Sequence, residues 1–276
     1  MSEEKNKKNF GAWCMSSIII VVFVQVVFPK LIECWLSREI LQTHQIAFCI
    51  CKQVFFVLVP AFLWNNIIGN KDKIDLGRTS LSFKGCIIMA VYAVAIFVVI
   101  RLLRDAFLWM YIGITEDFSV YRIPKSYGMI EILEIIFGIV VLSSICEEFY
   151  YRFVGYKITK NSSWISMAII SIIYAAFYLD FGIGTVISTM LLGLVLGNNY
   201  LQYHNYMYVL IIHVIYGVLE VYFTNCIVWV SDCILINVRA FSGAECITWG
   251  CIYIVCACCI MLCVFVGKTK IQYLKN

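Results

Sequence analysis

The chain has 276 residues, 62% of them apolar, 16% aromatic and only 14% charged, with a mean hydropathy of +0.89 and a formal net charge of +4. A soluble domain is nearer ~45–50% apolar and ~25% charged, so a soluble globule, a disordered chain, a nucleic-acid-binding module and a disulfide-stapled secreted domain are excluded. The composition implies an all-α polytopic membrane protein, with residues 1–276 forming a single integral-membrane domain and the lipid bilayer as its solvent.

A helix needs about 20 mostly apolar residues to cross a bilayer. Residues 9–29, 53–70, 85–100, 161–179 and 246–267 carry no charge, and 181–219 form one uncharged run with a polar hinge at Asn198, Asn199, Gln202, His204 and Asn205. Read as two helices, that run brings the expected number to about eight. They lie at 12–29, 47–68, 86–103, 132–151, 163–180, 184–200, 206–223 and 246–267.

The apolar run of the first is too long for a signal-peptide core and no small-residue cleavage site follows it, so it is expected to persist as a helix. The loop 104–131 reads as the longest soluble piece, with an interfacial helix over Ala106–Ile114. The stretch 224–245, interrupted by Asp232, reads as a short interfacial or re-entrant segment. Placing the N-terminus in the cytoplasm puts 13 of the 21 basic residues on the inner side. The positive-inside rule then gives cytoplasmic N- and C-termini in a multi-pass cell-membrane protein.

There are 14 cysteines. Five of them, Cys251, Cys256, Cys258, Cys259 and Cys263, share the last span. The Cys256-x-x-Cys259 pair sits mid-span with no His, Asp or Glu near it in sequence, so these are expected to be small, reduced packing residues rather than a zinc or redox centre. Cys226, Cys233 and Cys246 fall in or beside one loop, where a disulfide is left open.

Ionisable groups inside a span cost roughly 2.5–3.5 kcal/mol each and need a reason. The fourth span runs into Cys146-Glu147-Glu148-Phe149-Tyr150-Tyr151-Arg152. On a helix, Glu148 and Arg152 are four apart and face each other. Glu147 is rotated by about 100° and must find another partner, a proton or a water. A surface helix cap would explain the same residues. His213, however, lies in the middle of the seventh span, where a core histidine would be the plain explanation. An acid pair and an intramembrane imidazole together are what a buried hydrolytic site requires.

These residues resemble the CPBP family, the CAAX-protease and bacteriocin-processing membrane endopeptidases also called the Abi or type II CAAX group. The resemblance covers about residues 130–222. Glu147-Glu148-x-x-x-Arg152 fits the family's EExxxR, Leu192-Gly193-Leu194-Val195-Leu196-Gly197 its Gly-containing helix, and His213 the start of its HxxxN or HxxxD motif. The resemblance implies an endopeptidase acting on a membrane-associated or prenylated protein or peptide. Glu147 would be its general base, Glu148 and Arg152 the partners of that base, and His213 an oxyanion or ligand group.

The chain departs from the family pattern twice. The second motif, FxxxH, falls on Tyr174 to Tyr178, with Tyr178 where His is expected. The third places Gly217 where Asn or Asp is expected. Tyr178 can donate a hydrogen bond but does not take a proton from water at neutral pH. Asp180, two residues on, is read as a helix-end residue rather than a substitute. No cofactor is expected, and a divalent metal held by two histidines is not available, because only His213 remains.

Two readings follow from the resemblance, with a third from the charges alone. One is a peptidase using Glu147 and Tyr178. Another is a catalytically inactive relative serving as a membrane scaffold, a bacteriocin-immunity protein or a peptide binder. The third is a transporter with a polar path of Glu134, Glu147, Glu148, Glu220, Arg101 and Arg104. The broken helices and two-half repeat that point to transporters are not visible in the sequence.

Overall fold

A computed structural model of the chain describes residues 3–35, 45–68, 82–115, 128–159, 164–226 and 242–273. They form eight helices: α1 (3–35), α2 (45–68), α3 (Phe83–Thr115), α4 (Met129–Thr159), α5 (Trp164–Ala176), α6 (Ile183–Tyr203), α7 (Tyr206–Cys226) and α8 (Gly243–Tyr273). No strand occurs among the described residues. Seven of the helices are long and apolar enough to cross a bilayer, and α5, with 13 residues, is shorter. Large apolar side chains such as Met15, Ile19, Phe62, Ile67, Val91, Phe137 and Ile165 point outward. Only lipid makes that arrangement favourable, and the protein is an integral multi-pass membrane protein.

Local chemistry sets the helix ends. The N–H of Gly128 donates to Glu131 Oε2 at 2.8 Å and opens α4. The uncharged run 181–219 breaks where the backbone of His204 turns left-handed (φ 46°), its N–H closing on Tyr200 O at 2.8 Å. Asn205 Oδ1 then accepts the N–H of Met207 at the start of α7. Glycine is needed at 182, where φ is 90° between the short 3-10 turn Leu179–Phe181 and α6.

Two expected boundaries are corrected. Ala106–Ile114 is not an interfacial helix but the continuation of α3. The charges at Arg101, Arg104 and Asp105 do not end the helix because they are neutralised inside the bundle. Arg104 Nη1 lies 2.8 Å and Arg101 Nη1 3.3 Å from Glu220 Oε1, and Arg104 also meets Asp105 at 3.1 Å. Ala106, Leu108, Trp109 and Ile112 are buried beyond them. The fifth span stops at Ala176 rather than 180, because the chain turns at Phe177–Tyr178. The segment 227–241, which carries most of the expected re-entrant stretch, lies outside the described residues, as do 116–127 of the loop 104–131. So do Cys233 and the side chains of Cys226 and Cys263. Cys246 is a free buried thiol, and Cys251, Cys256, Cys258 and Cys259 are free and exposed on α8.

Helix α4 occupies the middle, against α1, α2 and α7, while α3 packs on α6, α7 and α8. One core gathers Trp13, Tyr150, Tyr151, Tyr174 and Phe177 between α1, α4 and α5. A second gathers Phe97, Leu192, Val209, Ile212 and Tyr216 between α3, α6 and α7. Helices α5 and α6 meet through glycine, because a Cβ at Gly193 would lie 3.0 Å from Ser171 Cβ and one at Gly197 would lie 2.8 Å from Met167 Cγ. Short-side-chain contacts of this kind are how helices approach closely where no hydrophobic effect drives them together.

Candidate active site

Helix α4 does not end at its acids. It continues for three turns past Glu147, so the two carboxylates sit inside the bundle rather than at a surface cap. Glu147, Glu148, Arg152 and His213 are 2%, 0%, 0% and 5% exposed. Contact with headgroups therefore does not account for them.

From Glu148 to Val154 the helix is π-helical. A π turn, closed by i to i+5 hydrogen bonds, holds more residues per turn than an α turn and rotates each one less. Neighbouring side chains therefore lie closer in direction than the ~100° of an α-helix. Glu147 and Glu148 are both directed into the same buried region.

Glu148 is held by charge. Its Oε1 lies 3.2 Å from Arg152 Nη1 and 2.7 Å from His213 Nδ1. Arg152 is fixed in turn by the ring of Tyr174, 4.6 Å from its guanidinium carbon, and by Gly193 O at 3.4 Å from Nη2. Facing Arg152, an ionised Glu148 can only accept, so His213 donates its Nδ1 proton to it. That choice fixes the ring and turns Nε2 toward Tyr174 Oη at 3.2 Å and Glu147 Oε2 at 3.8 Å.

Glu147 is held differently. Its Oε1 accepts two hydrogen bonds, from Tyr178 Oη at 2.7 Å and from Gln53 Nε2 at 2.8 Å. Its Oε2 is buried and has no hydrogen-bond partner among the described residues. One carboxylate oxygen is therefore pinned and the other is turned toward the imidazole.

The five sequence-predicted residues thus converge. Two others complete the surroundings without having been singled out: Tyr174 and Gln53. Tyr174 was visible as the first residue of the altered second motif. Gln53 carried only a weak signal, a lone amide opening an uncharged run. Asp180 pairs with Lys52 on α2 at 3.5 Å. Gly217 has a packing reason, since a Cβ there would lie 2.5 Å from Val140 Cγ1 on α4. An asparagine or aspartate does not fit at this crossing.

Among the described residues no group of three or more His, Cys, Asp or Glu side chains is placed to hold a metal ion. Arg152 already neutralises Glu148, which leaves Glu147 Oε2 and His213 Nε2 as the only facing donors. This donor set does not fit a resident divalent ion.

Residues 130–219 match the family model described as type II CAAX prenyl endopeptidase, Rce1-like. No curated protein and no solved structure shows a significant match. The family match runs from α4 into α7, the segment that carries Glu147, Glu148, Arg152, Tyr174, Tyr178 and His213. The match spans about a third of the chain, and it is a likeness of this core to that family.

Proposed function

We propose that the protein is an intramembrane endopeptidase that hydrolyses a peptide bond of a membrane-associated or prenylated protein or peptide with water activated by Glu147. One observation carries this reading. Glu147 is buried with Oε1 pinned by Tyr178 and Gln53, while Oε2 faces His213 Nε2 at 3.8 Å. A water bound beside the line joining them would lie within hydrogen-bond reach of both atoms.

In the proposed reaction Oε2 takes a proton from water as the oxygen adds to the scissile carbonyl. The carbonyl π electrons move to its oxygen. Protonation neutralises Glu147 and weakens it as an acceptor, which frees the Tyr178 hydroxyl to donate to the new oxyanion. The oxyanion then reforms the carbonyl, the C–N bond breaks, and Glu147 returns its proton to the leaving amine. Glu148 and Arg152 hold the His213 ring in place and do not exchange protons. The positive-inside bias supports a cytoplasmic approach of substrate, with both termini on that side.

The test is cleavage by the purified protein in detergent, with farnesylated and unmodified peptides and Glu147→Gln as control. General-base catalysis contributes about 10²–10⁴-fold, so the variant is expected to lose at least a hundredfold. Equal cleavage by both proteins would remove this reading.

A second reading, a non-catalytic peptide-binding, scaffold or bacteriocin-immunity relative, is favoured by Tyr178, which supplies a donor to Glu147 but no base beside it. It predicts peptide binding without cleavage, unchanged in a Glu147→Gln, His213→Ala protein.

A further inference from the structure

Helix α2 lies outside the segment that matches the family, yet it reaches the centre of the site. Gln53 Nε2 donates to Glu147 Oε1 at 2.8 Å. Oε1 is an acceptor here, receiving the Tyr178 hydroxyl as well, so the amide stands with its nitrogen toward the acid. The amide oxygen is the other arm of the same planar group. That oxygen is buried and has no hydrogen-bond partner among the described residues. An unsatisfied buried acceptor costs about 1–3 kcal/mol unless a partner arrives.

The register of α2 is fixed beside this contact. Lys52 pairs with Asp180 at 3.5 Å, just past Tyr178. From α1, Gln25 Nε2 donates to Phe177 O at 2.7 Å, on the other flank of Tyr178. Two helices outside the family segment therefore brace the turn that carries one donor to Glu147, and α2 supplies the second donor itself.

We propose that Gln53 is a positioning and substrate-binding residue: its amide nitrogen fixes Glu147 Oε1, and its amide oxygen accepts a main-chain N–H of the peptide. The chemical class this recognises is an extended peptide whose backbone donor lies next to the scissile carbonyl. A lipid headgroup without N–H donors does not satisfy it. The inference rests on the peptidase reading above, and its test separates the two.

The experiment uses the full chain in detergent. Cleavage of a fluorogenic farnesylated peptide is followed for wild type, Gln53→Met and Glu147→Gln. Binding of that peptide, and of variants methylated at single backbone nitrogens, is followed by anisotropy in Glu147→Gln with and without Gln53→Met. A hydrogen bond to a charged group predicts a drop in kcat of about 10–100-fold for Gln53→Met. One backbone position is expected to lose binding severalfold on methylation in the protein carrying Gln53, and to be insensitive once Gln53→Met is added.

If kcat is unchanged, the positioning role is overturned. If every backbone position responds alike in both backgrounds, the amide-oxygen contact is overturned. In both cases the peptidase reading stands as long as Glu147→Gln is dead and wild type is active. A wild type that binds but does not cleave overturns the peptidase reading, and the methylation scan alone then decides for or against the contact with Gln53. A wild type that neither binds nor cleaves overturns both. Should Gln53→Met fail to fold, Gln53→Leu removes the same amide with a branched apolar side chain of similar bulk. It is expected to lose kcat and the methylation pattern together, and retention of either overturns the role tied to it.

Discussion

The hydroxyl of Tyr178 donates a 2.7 Å hydrogen bond to Glu147 Oε1, from the position where the family pattern has an imidazole. A phenol there cannot share the work of deprotonating water, but it can fix the acid that does. Removing only the hydroxyl isolates that contribution. Tyr178→Phe is expected to lower kcat about 10–100-fold, the worth of a hydrogen bond to a charged group, with little change in KM. Tyr178→His restores a base and is expected to exceed wild type in kcat. Steady-state cleavage of one peptide by the three proteins checks both, and a Tyr178→Phe protein as fast as wild type would show that the contact does not serve catalysis.

Glu148, Arg152 and His213 form a buried polar chain of fixed geometry, and its members differ in what their loss does. Arg152→Met leaves Glu148 without its cation in a fully buried site. Breaking a buried pair from one side costs about 3–5 kcal/mol, so the melting temperature in detergent is expected to fall sharply. Removing both charges, with Glu148→Gln added, is expected to recover part of that loss while leaving the His213 ring unoriented and cleavage absent. A double variant no more stable than Arg152→Met would argue against a paired charge at this place.

The acids, the arginine and the histidine were legible in the sequence because each is an ionisable residue inside an apolar run, where chance placement is expensive. The helices were legible for the same reason, as gaps between charges. The full length of α3 was not, because Arg101, Arg104 and Asp105 look like a helix end until Glu220, more than a hundred residues away, is seen to neutralise them. The π turn after Glu147 was also hidden. It depends on hydrogen-bond register rather than on residue type, and it alters the direction of Glu147 that α-helical spacing would give. Gln53 was hidden because a single neutral amide costs little in a span and belongs to no motif. Its role comes only from the approach of α2 to α4.

Gly217 offers a direct test of why the third motif is incomplete. A Cβ at this position would lie 2.5 Å from Val140 Cγ1, so Gly217→Ala is expected to destabilise by about 1–3 kcal/mol through overpacking. Val140→Ala, which opens the opposite side, is expected to rescue it. The coupling between the two, read from thermal unfolding in detergent, should be well outside additivity. Gly217→Asn alone is expected to unfold the crossing rather than to restore an oxyanion donor. In the Val140→Ala background it becomes a fair trial of whether that donor raises kcat.

The cluster of Arg101, Arg104, Asp105 and Glu220 separates a peptidase from a transporter. Glu220 is on the same helix as His213 but two turns further on, roughly 10 Å along the axis. Its carboxylate is engaged by both arginines rather than by any residue around Glu147. Glu220→Gln leaves two guanidinium groups to share Asp105. Because the Glu220 side chain is 31% exposed, the cost is expected to be about 1–2 kcal/mol, below that of a fully buried pair. Cleavage per folded molecule is expected to stay within about threefold of wild type, since the lost interaction lies outside the contacts that orient Glu147 and His213. A polar path running from this cluster to the acids would behave otherwise: proteoliposomes would show solute or proton flux that Glu220→Gln abolishes. Flux of that kind, together with intact stability, would assign the four charges to transport and not to holding α3 against α7.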